Sequence, residues 1–182
     1  TSFSRLFKNL SNRITKIEDS IILNAKEGIE MNVQAGYISG GIGQIIDLST
    51  GSVVENFVTT YNGIYNSEIP ILQLPEVFKI VIRGGLDIST GKNINYTFTI
   101  ICTKKQILQD GKIVPVNPIT TTYSELAENI KSDSDTQGIS KSYDDAIDEA
   151  KDKLSSVSNL DKSVLGNDYI ATKDINLSLI HI

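Results

Sequence analysis

The chain has little of what usually betrays an activity. Of its 182 residues one is Cys, one is His, one is Met, four are Pro and none is Trp. A lone Cys102 excludes an internal disulfide and a zinc site built on cysteines. It follows Ile100-Ile101 in a strand-like run, so it reads as a small buried hydrophobe. The lone His181 lies six residues into the tail NLSLIHI (176–182), which leaves the body of the chain without the histidine base that a Ser or Cys nucleophile normally needs. No apolar run approaches the ~20 residues of a membrane helix. Positive charge is also missing where a nucleic acid would want it. The formal charge is −5, and Lys plus Arg against Asp plus Glu gives +1 for residues 1–31, 0 for 32–116 and −6 for 117–182. An acidic C-terminal part argues against nucleic acid and against an anionic membrane surface as partner. Scarce cysteine fits the cytosol and surface modules alike, so it does not fix a compartment.

What is there is globular: 40% hydrophobic and 21% charged residues, enough for one domain or a small domain with an appendage. Residues 1–28 read as a leader or the end of a preceding module, with Phe3, Leu6, Phe7, Leu10, Ile14 and Ile17 at helical spacing. A membrane-surface helix is the alternative there, opposed by Glu18 and Asp19. The chain begins with Thr1, so the natural N-terminus is expected to lie upstream.

From Ile29 the period becomes two. Ile29, Met31, Val33, Ala35 and Tyr37 alternate with polar or small residues, as a half-buried strand does. The phrase Asp47-Leu-Ser-Thr-Gly51 returns as Asp87-Ile-Ser-Thr-Gly91; in each, Asp and Ser/Thr can bond the backbone ahead and Gly can close a turn at positive φ. Asn62-Gly63 is a further turn signal. Val77–Arg83 is the most β-rich run, Ile94 to Ile100 alternate again, and Asp110-Gly111 is read as closing a last hairpin into Lys112–Val116. About seven short strands in residues 29–116 predict a mainly β fold, an antiparallel prealbumin- or Ig-like sandwich. Its expected core is Val33, Tyr37, Ile45, Val53, Phe57, Phe78, Ile80, Ile82, Tyr96 and Phe98.

At Asn117-Pro118 an N-cap and a first-turn proline open a small acidic helical unit over 117–175. Ile119, Tyr123, Leu126, Ala127 and Ile130 recur at helical spacing, and after a loop over 131–140 a second helix carries Tyr143, Ala146, Ile147, Ala150 and Leu154 on one face. A third short helix is expected around 160–165. The tail 176–182 resembles adapter read-through at the end of an assembled reading frame, the alternative being a strand cut short.

Gly43-Gln-Ile-Ile-Asp-Leu-Ser-Thr-Gly51 followed by Val58-Thr-Thr-Tyr-Asn-Gly-Ile-Tyr65 resembles the carboxypeptidase regulatory-like, prealbumin-type sandwich repeat, with no acid before the Asn62-Gly63 turn. Gly84-Gly-Leu-Asp-Ile-Ser-Thr-Gly91, then Val116-Asn-Pro-Ile-Thr-Thr121, is similar to modules of very large surface or virion proteins of marine bacteria and their viruses, where a sandwich runs into a Pro-x-Thr-Thr helical unit. The resemblance covers about residues 33–167. It implies a non-enzymatic stalk, adhesin or spacer, extracellular or on a virion, whose partners are neighbouring modules of the same chain.

One stretch has ligand-like spacing. Asp133, Asp135 and Asp144, with Gly138 between, match positions 1, 3, 12 and 6 of a calcium loop, and Gln137, the candidate fourth ligand, departs from the acid usual at position 5. Ser140 and Lys141 depart from the pattern, and a solvated helix–helix loop with Ser142 as N-cap is the plainer reading. Asp47, Asp87 and Asn62 could line a cation or sugar site but fit turn chemistry better. Tyr61, Tyr65 and Tyr96 are candidates for a glycan platform, with Tyr65 and Tyr96 expected to point inward. The acids from Asp144 to Asp152 read as a solvated helix face rather than a glycosidase pair. Gly40-Gly41-Ile42-Gly43 precedes no helix, so it is no dinucleotide fingerprint. The expectation is therefore a structural or adhesive surface module that is not an enzyme and needs no cofactor. The alternatives are a calcium-dependent or glycan-binding module, with a cell-surface glycan or protein as partner, or the accessory domain of a secreted hydrolase.

Overall fold

The structure, a computed structural model, describes residues 2–34 and 36–166. Ala35 of the expected first strand, residues 167–175 of the helical unit, the tail 176–182 and its His181 lie outside the described residues. In chain order come α1 (Ser2–Lys26), β1 (Glu30–Val33), β2 (Ile38–Ser39), β3 (Ile42–Asp47) and β4 (Val53–Val58). Then follow β5 (Ile64–Asn66), a 3₁₀ turn Ile71–Gln73, β6 (Val77–Arg83), β7 (Leu86–Asp87), β8 (Lys92–Asn93) and β9 (Thr97–Thr103). The chain continues through α2 (Lys104–Asp110), β10 (Ile113–Val116), α3 (Pro118–Thr136), α4 (Tyr143–Ser158) and a second 3₁₀ turn, Lys162–Val164.

This is not the mainly β sandwich of about seven strands that the strand spacing and the prealbumin-type resemblance led to. The described residues are 44% helix and 26% strand, with four helices and three small separate sheets. The strands part because their partners are chosen over long range, which short-range periodicity does not encode. β1 pairs antiparallel with β5 and parallel with β10; β7 lies between β2 and β8; a four-stranded antiparallel sheet runs β4-β3-β6-β9. The expected hairpin at Asp110-Gly111 is replaced by α2. Thr103 Oγ1 accepts from Gln106 N at 3.2 Å to start that helix, and Gly111 at φ 109° ends it. The chain is thereby carried across to lay β10 beside β1.

The four-stranded sheet holds the core. Its register sets Ile45 opposite Ile80, Ile80 opposite Ile100 and Ile82 opposite Phe98, all on one face, and all are buried. Each such side chain contributes about 1.5–3 kcal/mol on leaving water. Phe57 lies across Gly43, where a Cβ would come within 2.2 Å of its ring. Two of the expected core residues face solvent instead: Val53 at an edge strand and Tyr96 just before β9. Tyr37 is half-buried at φ 57°, in a turn rather than a strand.

α3 packs along β9 and α4 packs on α3, and the small side chains Ala127 of α3 and Ala146 and Ala150 of α4 are fully buried. The helix start is as its sequence requires. Asn117 Oδ1 accepts from Thr120 N at 2.9 Å, Thr120 Oγ1 accepts from Asn117 N at 2.9 Å, and Pro118 takes the first turn. α3 also runs six residues beyond Ile130, through the expected loop. Lys131 pairs with Asp135 four residues on, at 2.6 Å, and Gly138 at φ 72° supplies the left-handed residue past its end.

Candidate functional site

Of the proposed calcium ligands Asp133 and Gln137 line one small cleft, and Asp135 and Asp144 do not join them there. Asp133 and Asp135 stand on the last turn of α3, where a separation of two residues turns them about 200° apart around the axis. Gln137 is the C-cap. Asp135 is held by Lys131, and Asp144, in the first turn of α4, accepts from Thr103 Oγ1 of β9 at 2.6 Å. Ser142 is the N-cap of α4, accepting from Asp145 N at 3.1 Å. Among the described residues no group of three or more His, Cys, Asp or Glu side chains is placed to hold a metal.

The turn acids act on their own turns. Asp47 Oδ1 accepts from Ser49 N at 2.8 Å and Ser49 Oγ at 2.6 Å; Asp87 Oδ1 does the same with Ser89 at the same two distances, and reaches Thr90 N at 3.3 Å. Gly51 and Gly91 close the two turns at φ 74° and 69°. The Ser49 bonds hold the Asp47 carboxyl below its ordinary pKa. At Asp87 burial acts against the charge, yet the Ser89 and Thr90 bonds outweigh it and the carboxyl is again lowered. Asn62 stands in the tight turn where Gly63 N donates to Thr60 O at 3.0 Å.

The three tyrosines do not form one platform. Tyr61 and Tyr96 are exposed, whereas the Tyr65 ring stacks on Phe57 with centroids 4.4 Å apart. Its hydroxyl donates to Glu55 Oε1 at 2.7 Å; burial and that carboxylate push the phenol up to about 12.

A cleft of about 960 Å³ opens between β9, α2, β10 and α4, and Cys102, Tyr123 and Lys151 line it. Lys151 Nζ sits over the Tyr123 ring, 5.1 Å from its centroid. Burial lowers the Lys151 pKa and raises those of Tyr123 and Cys102, the thiol to about 12. Thiol and phenol thus stay protonated at neutral pH, and of these three groups the lysine alone has its proton loosened. Asp110, Asp148 and Asp161 stand against Lys151 and Lys162 on the same walls, so the cleft has no excess of positive charge to draw an anion. Lys151 escaped the sequence reading although it follows Ile147 by four residues and so shares its buried face.

The largest uncovered feature is α1. Its apolar side chains from Phe3 to Ile21 are 47–78% exposed, and it meets the body chiefly at the 3₁₀ turn Ile71–Gln73. The sequence reading placed a helix here but not its isolation, because spacing tells which face is apolar and not what covers it. Among the described residues no helix is long and apolar enough to cross a membrane. The chain matches no protein-family model, no curated protein and no solved structure.

Proposed function

We propose that this chain is a non-enzymatic structural module of a large extracellular or virion surface protein, serving to space and present its neighbours. The observation that carries the reading is α1: a 25-residue helix with an uncovered apolar stripe, set on a body whose buried residues form one cluster shared by sheets and helices. A body with a closed core and one sticky projecting element is built to be joined to other polypeptide. The turn motifs support the same reading, because their acids are engaged in holding loops rather than offered to a ligand. Labelling of intact source cells or virions with an impermeant reagent or antibody tests it. Labelling before lysis is expected; protein that is reached after lysis alone overturns the proposal.

A further inference from the structure

The apolar residues of α1 recur at alternating steps of four and three: Phe3, Phe7, Leu10, Ile14, Ile17 and Ile21. In heptad terms Phe7, Ile14 and Ile21 take the a positions, and Phe3, Leu10 and Ile17 the d positions. In this stretch Leu6, at g, is the one large apolar residue off the seam; Ile22 and Leu23, each 52% exposed, fall outside it at the end nearest the body. A seam this narrow suits a facing helix better than a lipid surface, which rewards a broad apolar face. A helix carrying it is marginal in water without a packing partner.

Charge identifies the partner. Arg13 falls at g and Glu18 at e, five residues on, the relation that brings a g residue beside an e residue of the neighbouring helix when both run the same way. Among the described residues neither makes an ion pair within its own chain. Reversing one helix would set g against g and e against e and lose the complementarity. We propose that α1 is the protomer's share of a parallel, in-register coiled coil between copies of this chain, with the bodies side by side at its C-terminal end. At ~1.5 Å per residue the shared rod is about 37 Å long. The inference deepens the structural-module reading by naming what covers the stripe.

The test uses the full chain and light scattering after size exclusion. The expected mass is an integral multiple of 19.9 kDa, falling to one protomer in Ile14→Asp while the circular dichroism of the body persists. Arg13→Glu should weaken association severalfold, and adding Glu18→Arg should restore it. In Ile14→Cys, mild oxidation should give a covalent dimer, because parallel registry sets position 14 beside itself; the buried Cys102 thiol does not compete. A chain that stays monomeric at high concentration overturns the inference, as does an oligomer that survives Ile14→Asp. A monomer that binds phosphatidylcholine–phosphatidylglycerol vesicles through α1 assigns the stripe to a membrane surface and overturns it too. A monomeric mass leaves the surface-labelling result standing, and an internal location leaves the mass standing, so the two failures are told apart.

Discussion

Asp87 shows how much one buried carboxylate can organise. It takes three donors from the two residues after Ile88 and lies against Gly36, where a Cβ would come within 2.3 Å of its Oδ1. Asp87→Ala leaves those backbone donors unmet in a closed space and should cost about 1–3 kcal/mol in a urea melt. Its folded pKa is lowered, so its contribution is complete above the unfolded value of ~3.9 and is lost as pH falls through the folded value. Wild type should therefore weaken below about pH 4 more steeply than Asp87→Asn; parallel slopes in acid melts would refute this. Both Asp-x-Ser-Thr-Gly turns were legible in the sequence because donors, acceptor and glycine lie within five residues. The exposure of Val53 and Tyr96 was not, since alternation assigns a face without saying whether anything lies over it.

Among the elements, α3 has the least ordinary task. β9 is an edge of its sheet, and an open edge offers unpaired N–H and C=O groups to any passing strand. Here hydroxyls of the helix meet them: Thr99 N donates to Thr121 Oγ1 at 2.9 Å, Ile101 N to Ser124 Oγ at 3.0 Å, and Thr120 Oγ1 donates to Thr99 O at 2.9 Å. The Thr-Thr-x-x-Ser run thus stands in for a fifth strand. Replacing Thr121 and Ser124 together by Ala should cost about 2 kcal/mol, near 1 per bond, and hydrogen exchange should quicken at Thr99 and Ile101. An unchanged exchange rate at those two amides would show that the hydroxyls are incidental. The start of α3 could be read from Asn117-Pro118 because capping is local. Its role could not, because the backbone groups it meets lie more than twenty residues before the hydroxyls that meet them, and nothing in a helical period names a strand edge.

At the scale of the molecule, the acidic helical part shares one buried cluster with the strands, from Ile29 through Phe78 to Leu165. Cys102 sits where the sheet meets Tyr123 and Lys151, so its thiol reports on that whole junction. Its reaction with an aromatic disulfide reagent should begin at the same denaturant concentration as the loss of circular dichroism. Labelling at lower denaturant would mean that the helices lift off first, as a unit of lower stability. The hydrophobic runs mark the presence of a core, whereas the division into three sheets rests on pairings between residues far apart in the chain. The parallel register of Glu30 with Ile113 and Val33 with Val116 then has a temporal meaning. Because the inner strand of that sheet meets its last neighbour some eighty residues later, closure waits until that whole intervening stretch has been synthesised. A nascent chain halted before Ile113 holds one side of β1 open, and loops this long close slowly. The body of this module is thus completed only once β10 has been made, well after α1 has left the site of synthesis.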